Sequence, residues 1–285
     1  MEVISIPTKN EEYITTVVKI DEVTPILKLS EEFEKKGFPN ESIKCLKHLF
    51  CVSNSFYAHT AIGNVYYRTN DLIKAKNEYL EALLDLNEEH DSDKLFEIYK
   101  NLGNISLKEN KVSDAKNFYE KAALIKSDSS DLFVNMATLD LIQQDEDSAI
   151  EKFRKAIYKN DKNDKAWVGL ALIYQNYGES DLTLACLKKA LDLNQYNINA
   201  LHLYSEFCNK NEKRLEAIEF LENWILKNDF HSDVYSYLIE LYINNNNLIR
   251  AKELLEIALL WEPKNNIFIE WYDAHVLGGG PCAKL

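Results

Sequence analysis

The chain has 285 residues, 46% of them hydrophobic and 28% charged, which is the composition of a folded protein with a sizeable core. Its 33 Lys and Arg stand against 46 Asp and Glu, and a formal net charge of −13 argues against a nucleic-acid or anionic-membrane binder. No apolar run is long enough to span a bilayer. The five sparse, irregularly spaced cysteines (Cys45, Cys51, Cys186, Cys208 and Cys282) read as free thiols of a reducing compartment.

Residues 1–22 are unlike the rest. Val3, Ile4, Ile6, Tyr13, Ile14, Val17 and Val18 are β-branched or aromatic and keep no helical period, so this segment is expected to be an extended arm. It lacks a basic stretch ahead of an apolar one and does not read as a secretory signal. The first helix is expected near Thr24-Pro25, a capping hydroxyl followed by proline where proline is tolerated. Beyond it the chain holds few turn residues, eight glycines and five prolines in all, with no proline between Asn40 and Glu262. That scarcity predicts helices. Charge is uneven: residues 96–163 balance to −1, whereas 1–95 and 164–285 each carry −6.

A period of 34 residues dominates the remainder. Ala115, Ala149, Thr183, Ala217 and Ala251 keep it, and seven residues after each stand Ala122, Ala156, Ala190, Trp224 and Ala258. Between them lie Tyr119, Phe153, Leu187, Leu221 and Leu255. Twelve residues before the first column come Gly103, Ala137, Ala171, Ser205 and Ile239, preceded by Tyr99, Phe133, Trp167, Leu201 and Tyr235. Small columns allow two helices to cross closely, and large columns fill the space beside the crossing. Polar clusters such as Lys108–Lys111, Gln143–Asp147, Tyr177–Asp181 and Asn244–Asn247 predict the turns between paired helices.

These columns resemble the tetratricopeptide repeat, best at Trp167-x2-Leu170-Ala171-x2-Tyr174 and well at Tyr99-x2-Leu102-Gly103 and Ala251 to Pro263. Ala75, Gly63, Tyr66, Tyr79 and Ala82 make an earlier repeat, with His59 in the aromatic slot. The forty residues from Ala75 to Ala115 place a six-residue insertion around Glu88–Asp93, which either lengthens a helix or loops out. The resemblance implies an all-α, right-handed α-α superhelix of about seven repeats. They start near 23, 56, 96, 130, 164, 198 and 232, and a capping helix covers 266–277. A flexible tail, 278–285, follows.

The family resemblance further implies that the first helix of each pair lines a concave groove that holds a peptide or helix of another protein. Asn64 and Asn104 fall in one slot of successive repeats, where an asparagine in peptide-binding members bonds the ligand main chain or its terminal carboxylate. Arg68, Lys100 and Lys108 flank them and could pair with acidic groups, so an acidic C-terminus is one ligand considered. The fuller carboxylate clamp is not matched: Thr60, Val134 and Thr138 occupy slots where basic residues would be wanted. Further along, His202, Glu206, Ser236, Tyr237 and Glu240 predict an acidic, aromatic surface.

No catalytic motif is present: no Gly-rich phosphate loop, no G-x-S-x-G and no H-E-x-x-H. Cys45, His48 and Cys51 are spaced i, i+3 and i+6 on one expected helix without a nearby fourth ligand, so neither metal nor cofactor is expected. The terminal Ala283-Lys284-Leu285 is similar to a peroxisomal address, set against a cytoplasmic default. The resulting expectation is a noncatalytic adaptor or assembly factor that binds another protein, without nucleic acid or membrane insertion. The alternatives are a structural subunit of a larger complex and a peptide-responsive regulator.

Overall fold

The computed structural model describes residues 2–7, 13–18, 23–53, 55–86 and 91–276. The stretch expected as an extended arm contains two strands, β1 (Glu2–Pro7) and β2 (Tyr13–Val18). They pair antiparallel, with Glu2 opposite Val18 and Pro7 opposite Tyr13. The expected tail, 278–285, lies outside the described residues, and so does half of the region assigned to the insertion, residues 88–90.

The described residues from 23 onward form helices joined by turns. The helices are α1 (Val23–Lys35), α2 (Pro39–Leu46), α3 (Leu49–Val52), α4 (Ser55–Arg68), α5 (Leu72–Leu84), α6 (Ser92–Lys108), α7 (Val112–Ile125) and α8 (Ser130–Ile142). There follow α9 (Glu146–Lys159), α10 (Asp164–Asn176), α11 (Ser180–Leu193), α12 (Ile198–Lys210), α13 (Arg214–Ile225), α14 (Ser232–Asn244), α15 (Leu248–Trp261) and α16 (Asn266–His275). The chain forms two compact units, residues 1–143 and 144–285.

Within the first unit α4 packs on α5 and α6 on α7, and α6 also touches α4 and α8. The small columns sit where the helices cross: Ala75, Ala82, Ala115 and Ala122 are wholly buried. Gly63 and Gly103 receive the faces of Tyr79 and Tyr119, two of the largest fully buried side chains. A Cβ at Gly63 would stand 2.9 Å from the Tyr79 ring, and one at Gly103 would overlap the Tyr119 ring. Glycine costs a helix interior about 1 kcal/mol relative to alanine, and here it is the residue that lets a tyrosine ring lie against the backbone.

First helices end alike. Asn70, Asn110, Gly178 and Asn246 adopt positive φ (61°, 59°, 74° and 57°). At each, the next amide reaches back to the last turn, as from Asp71 N to Tyr66 O (2.9 Å) and Glu179 N to Tyr174 O (2.9 Å). Glycine and asparagine tolerate this left-handed stop, which is why they fill the turn clusters. Three of the second helices, α5, α9 and α15, begin on side-chain caps, Asp71 accepting from Lys74 N, Asp145 from Ser148 N and Asn247 from Arg250 N.

One local feature differs from expectation. Cys45, His48 and Cys51 do not share a helix, because a turn at Lys47-His48 separates α2 from α3. Lys47 still bonds back to Ile43, but His48 bonds to Cys45, a tighter i−3 step that ends the α-helical register. The insertion before the third repeat lengthens a helix: α6 has 17 residues where α8 and α10 have 13, and it begins at Ser92, capped by Asp91.

In the second unit, a carboxylate ties three helices together. Glu222 of α13 accepts from Arg250 Nε (2.9 Å) and Nη2 (3.0 Å) of α15 and from the Tyr242 hydroxyl (2.8 Å) of α14. Partial burial opposes the charged form, yet the bonds from Arg250 and Tyr242 outweigh it and hold Glu222 below the usual carboxylate range. A depressed carboxyl pKa adds stability that is complete above the unfolded-state value and is lost as pH falls through the folded one. Urea unfolding of the wild type and Glu222→Gln, compared from about pH 6 down to about pH 3, is expected to show a gap that closes toward acid. A constant gap would remove this assignment.

Candidate functional site

The residues singled out in the sequence lie on α4 and α6, beside α8. Asn64 and Asn104 each meet the tyrosine fifteen residues later, on the paired second helix. The Tyr79 hydroxyl donates to Asn64 Oδ1 (2.7 Å), and the Tyr119 hydroxyl donates to Asn104 Oδ1 (2.8 Å). Each cluster also reaches the next first helix: Asn101 Nδ2 donates to Tyr79 Oη (3.0 Å), and Asn135 Nδ2 donates to Asn104 Oδ1 (2.8 Å). Asn104 Nδ2 donates to Tyr67 Oη on α4 (3.0 Å). Burial pushes both phenols, Tyr79 and Tyr119, above their ordinary pKa, so they stay protonated donors.

The two asparagines therefore also latch helices together, and the bonds orient their amides. Asn104 has both amide ends engaged. Asn64 accepts from Tyr79 and keeps its Nδ2 without an acceptor among the described residues, and the Tyr67 hydroxyl, one turn further along α4, accepts from Asn104 while its own proton has no acceptor among them. Two donors thus remain on this face between α4 and α6.

The cations differ in availability. Arg68 makes a forked pair with Glu34 of α1, Nε to Oε2 and Nη2 to Oε1, both 2.8 Å. Lys108 reaches Asn70 Oδ1 at 3.3 Å. Lys100 lies 5.5 Å from the centre of the Phe96 ring and has no carboxylate partner among the described residues. Two neighbours expected on this surface are interior instead. Thr60 is buried, its hydroxyl donating to Phe56 O (2.6 Å), and Val134 is buried as well.

In the second unit, the acidic and aromatic residues also converge. His202 and Tyr237 have ring centres 5.2 Å apart, and with Glu206, Asn209 and Glu240 they line a pocket of about 230 Å³ between α12 and α14. Lys210 bonds Glu206 (2.5 Å), the main cause of that carboxyl's lowered pKa. Asn209 donates to Glu240 (3.4 Å). Ser236, expected on this surface, turns its hydroxyl to Ser232 O instead.

Cys45 is buried, its thiol pushed up to about 11 by burial and directed at Ile26 O (3.6 Å), while Cys51 is exposed. Among the described residues no three His, Cys, Asp or Glu side chains are placed to hold a metal, and no helix is long and apolar enough to cross a membrane.

Paired helices with small residues at the crossings and left-handed stops between them define an all-α helical-repeat fold. Residues 164–197 match the family model of the tetratricopeptide repeat. The fold is similar to a tetratricopeptide repeat protein of Parabacteroides merdae, with a TM-score of 0.59 at 15% identity over 87% of this chain and 96% of that one. It is also similar to a chain in the Cut9–Hcn1 hetero-tetramer of the APC/C, with a TM-score of 0.64 at 12% identity over 90% of this chain and 49% of that one. In sequence it is 27% identical over 207 residues to the Homo sapiens protein O-mannosyl-transferase TMTC3, covering 70% of this chain and 22% of that protein. The chain thus spans about a fifth of the length of that relative. The family model thus matches one repeat of this chain, and the fold is that of tetratricopeptide repeat proteins. That fold suggests a protein-interaction or scaffold role, and the repeat family is generally noncatalytic.

Proposed function

We propose that this chain is a noncatalytic adaptor that holds an extended segment of another protein along α4, α6 and α8. The observation that carries this reading is the Asn–Tyr ladder. It engages the Asn64 Oδ1 and leaves the Nδ2 and the Tyr67 proton to donate, two donors that suit main-chain carbonyls. Lys100 supplies the unpaired cation for an acidic group of the same segment. Lys108 is a secondary contact, and Arg68 contributes only if a ligand carboxylate displaces Glu34. Unpaired buried thiols at Cys45, Cys186 and Cys208 favour a reducing compartment such as the cytoplasm.

Two substitutions separate the ladder from the ligand. Asn64→Asp keeps an oxygen for the Tyr79 hydroxyl and removes the Nδ2 donor, while Lys100→Glu reverses the free charge. Affinity capture from lysate of the source cells, read by mass spectrometry, is expected to lose the same preys with both variants at unchanged melting temperature. Preys retained by both would reject the site.

The terminal helix favours a second reading, a structural subunit. Ile267 and Ile269 of α16 are exposed, as is Trp261 at the end of α15. Captured partners lost on Ile267→Glu rather than Asn64→Asp would support it.

A further inference from the structure

We propose that a pocket among α9, α10 and α11 is a second docking site, taking a leucine or phenylalanine side chain that a partner protein presents between acidic residues. The pocket measures about 460 Å³ and is mostly apolar. Leu170 and Cys186, both buried, form its base, and Ile157, Trp167 and Leu182 line the walls. Burial pushes the Cys186 thiol up to about 11, so it remains a neutral part of the lining. Leu182, which lines the pocket, is 46% exposed, an apolar side chain left half open to solvent.

The rim gives the charge of the occupant. Arg154 and Lys189 border the opening. Arg154 bonds the Tyr174 hydroxyl (3.2 Å), and neither cation has a carboxylate partner among the described residues. Their sequence neighbours do: Lys155 pairs with Glu151 (2.6 Å) and Lys188 with Glu216. In a chain with thirteen excess negative charges, two adjacent unneutralised cations around an apolar pocket complement a hydrophobic side chain flanked by Asp or Glu. Trp167 adds a polar reporter. Its indole N–H is buried without an acceptor, whereas that of Trp224 donates to Gln195 O (2.8 Å). An unpaired buried donor is unfavourable, and a carbonyl carried in by the occupant would relieve it. This site is separate from the α4–α6–α8 face, so either can fail alone.

The test uses the full chain and a synthetic probe, acetyl-Asp-Glu-Leu-Phe-Glu-Asp-amide, with a control in which every acidic residue is lysine. The probe is titrated against the 15N-labelled protein, and the Trp167 indole signal, assigned through Trp167→Phe, is followed. The expected result is a saturable shift of that signal with the acidic probe and none with the lysine control. Leu182→Glu, a change at an exposed position, should weaken binding about tenfold or more, and Arg154→Ala/Lys189→Ala severalfold with loss of its salt dependence. No shift of Trp167, an equal shift with the lysine control, or binding unaffected by Leu182→Glu would overturn the proposal. A self-association that Leu182→Glu abolishes would also overturn it by placing a second copy of the chain in the pocket.

Discussion

Gly169→Val is expected to destabilise the second unit by about 2–3 kcal/mol. Helix propensity points the other way, since a valine suits a helix interior slightly better than a glycine does. The opposing effect is steric. Gly169 of α10 faces the ring of Phe153 on α9, and a Cβ there would overlap the ring. Phe153 is 2% exposed, so its ring has nowhere to retreat. All four tryptophans lie in the second unit, so urea unfolding read by their fluorescence reports that unit. Phe153→Leu shortens the opposing side chain and should recover part of the loss, giving a coupling of about 1 kcal/mol or more in the double-mutant cycle. A neutral or stabilising Gly169→Val would mean that the close approach does not constrain the fold.

The second large effect is expected at the end of the chain's helical body. Phe268 is the one buried residue of α16 and is 0% exposed. A ten-residue helix has little stability of its own, so its docking rests on that ring. Removing a buried phenylalanine side chain costs about 3–5 kcal/mol. Phe268→Ala should therefore undock α16 as a local event and leave α15 folded. Hydrogen exchange would show amides of 266–276 exchanging freely while those of 248–261 keep their protection. Ile269→Ala, at an exposed position of the same helix, should change neither. Retained protection of 266–276 in Phe268→Ala would show that other contacts hold the helix.

The repeat was legible because its columns are local and periodic. Ala115, Ala122, Ala149 and Ala156 recur at fixed spacing and prove wholly buried. What escaped the sequence depends on helix crossings. Asn64 and Tyr79 were each visible in their columns, but the bond between them requires two helices to bring positions fifteen residues apart together. The Arg68–Glu34 pair spans a full repeat, 34 residues, and one partner stands in the weakest repeat, so Arg68 read as free. Gly169 lies outside the small-residue column, since it accommodates the ring of the preceding helix rather than its own partner. A glycine inside a strongly helical pattern was the available signal. Thr60 and Val134 read as surface residues by spacing, yet the packing of α4 and α8 turns them inward. The pocket beside Trp167 had no signal, because its walls come from three helices and its rim cations look like any surface charge.

The most direct measurement is hydrogen exchange on the chain with and without its captured partner. If the partner lies along α4, α6 and α8, peptides from 55–68, 92–108 and 130–142 gain protection on binding, and Asn64→Asp abolishes the gain. Protection confined to α9–α11 or α15–α16, or protection of α4, α6 and α8 that survives Asn64→Asp, would contradict the account.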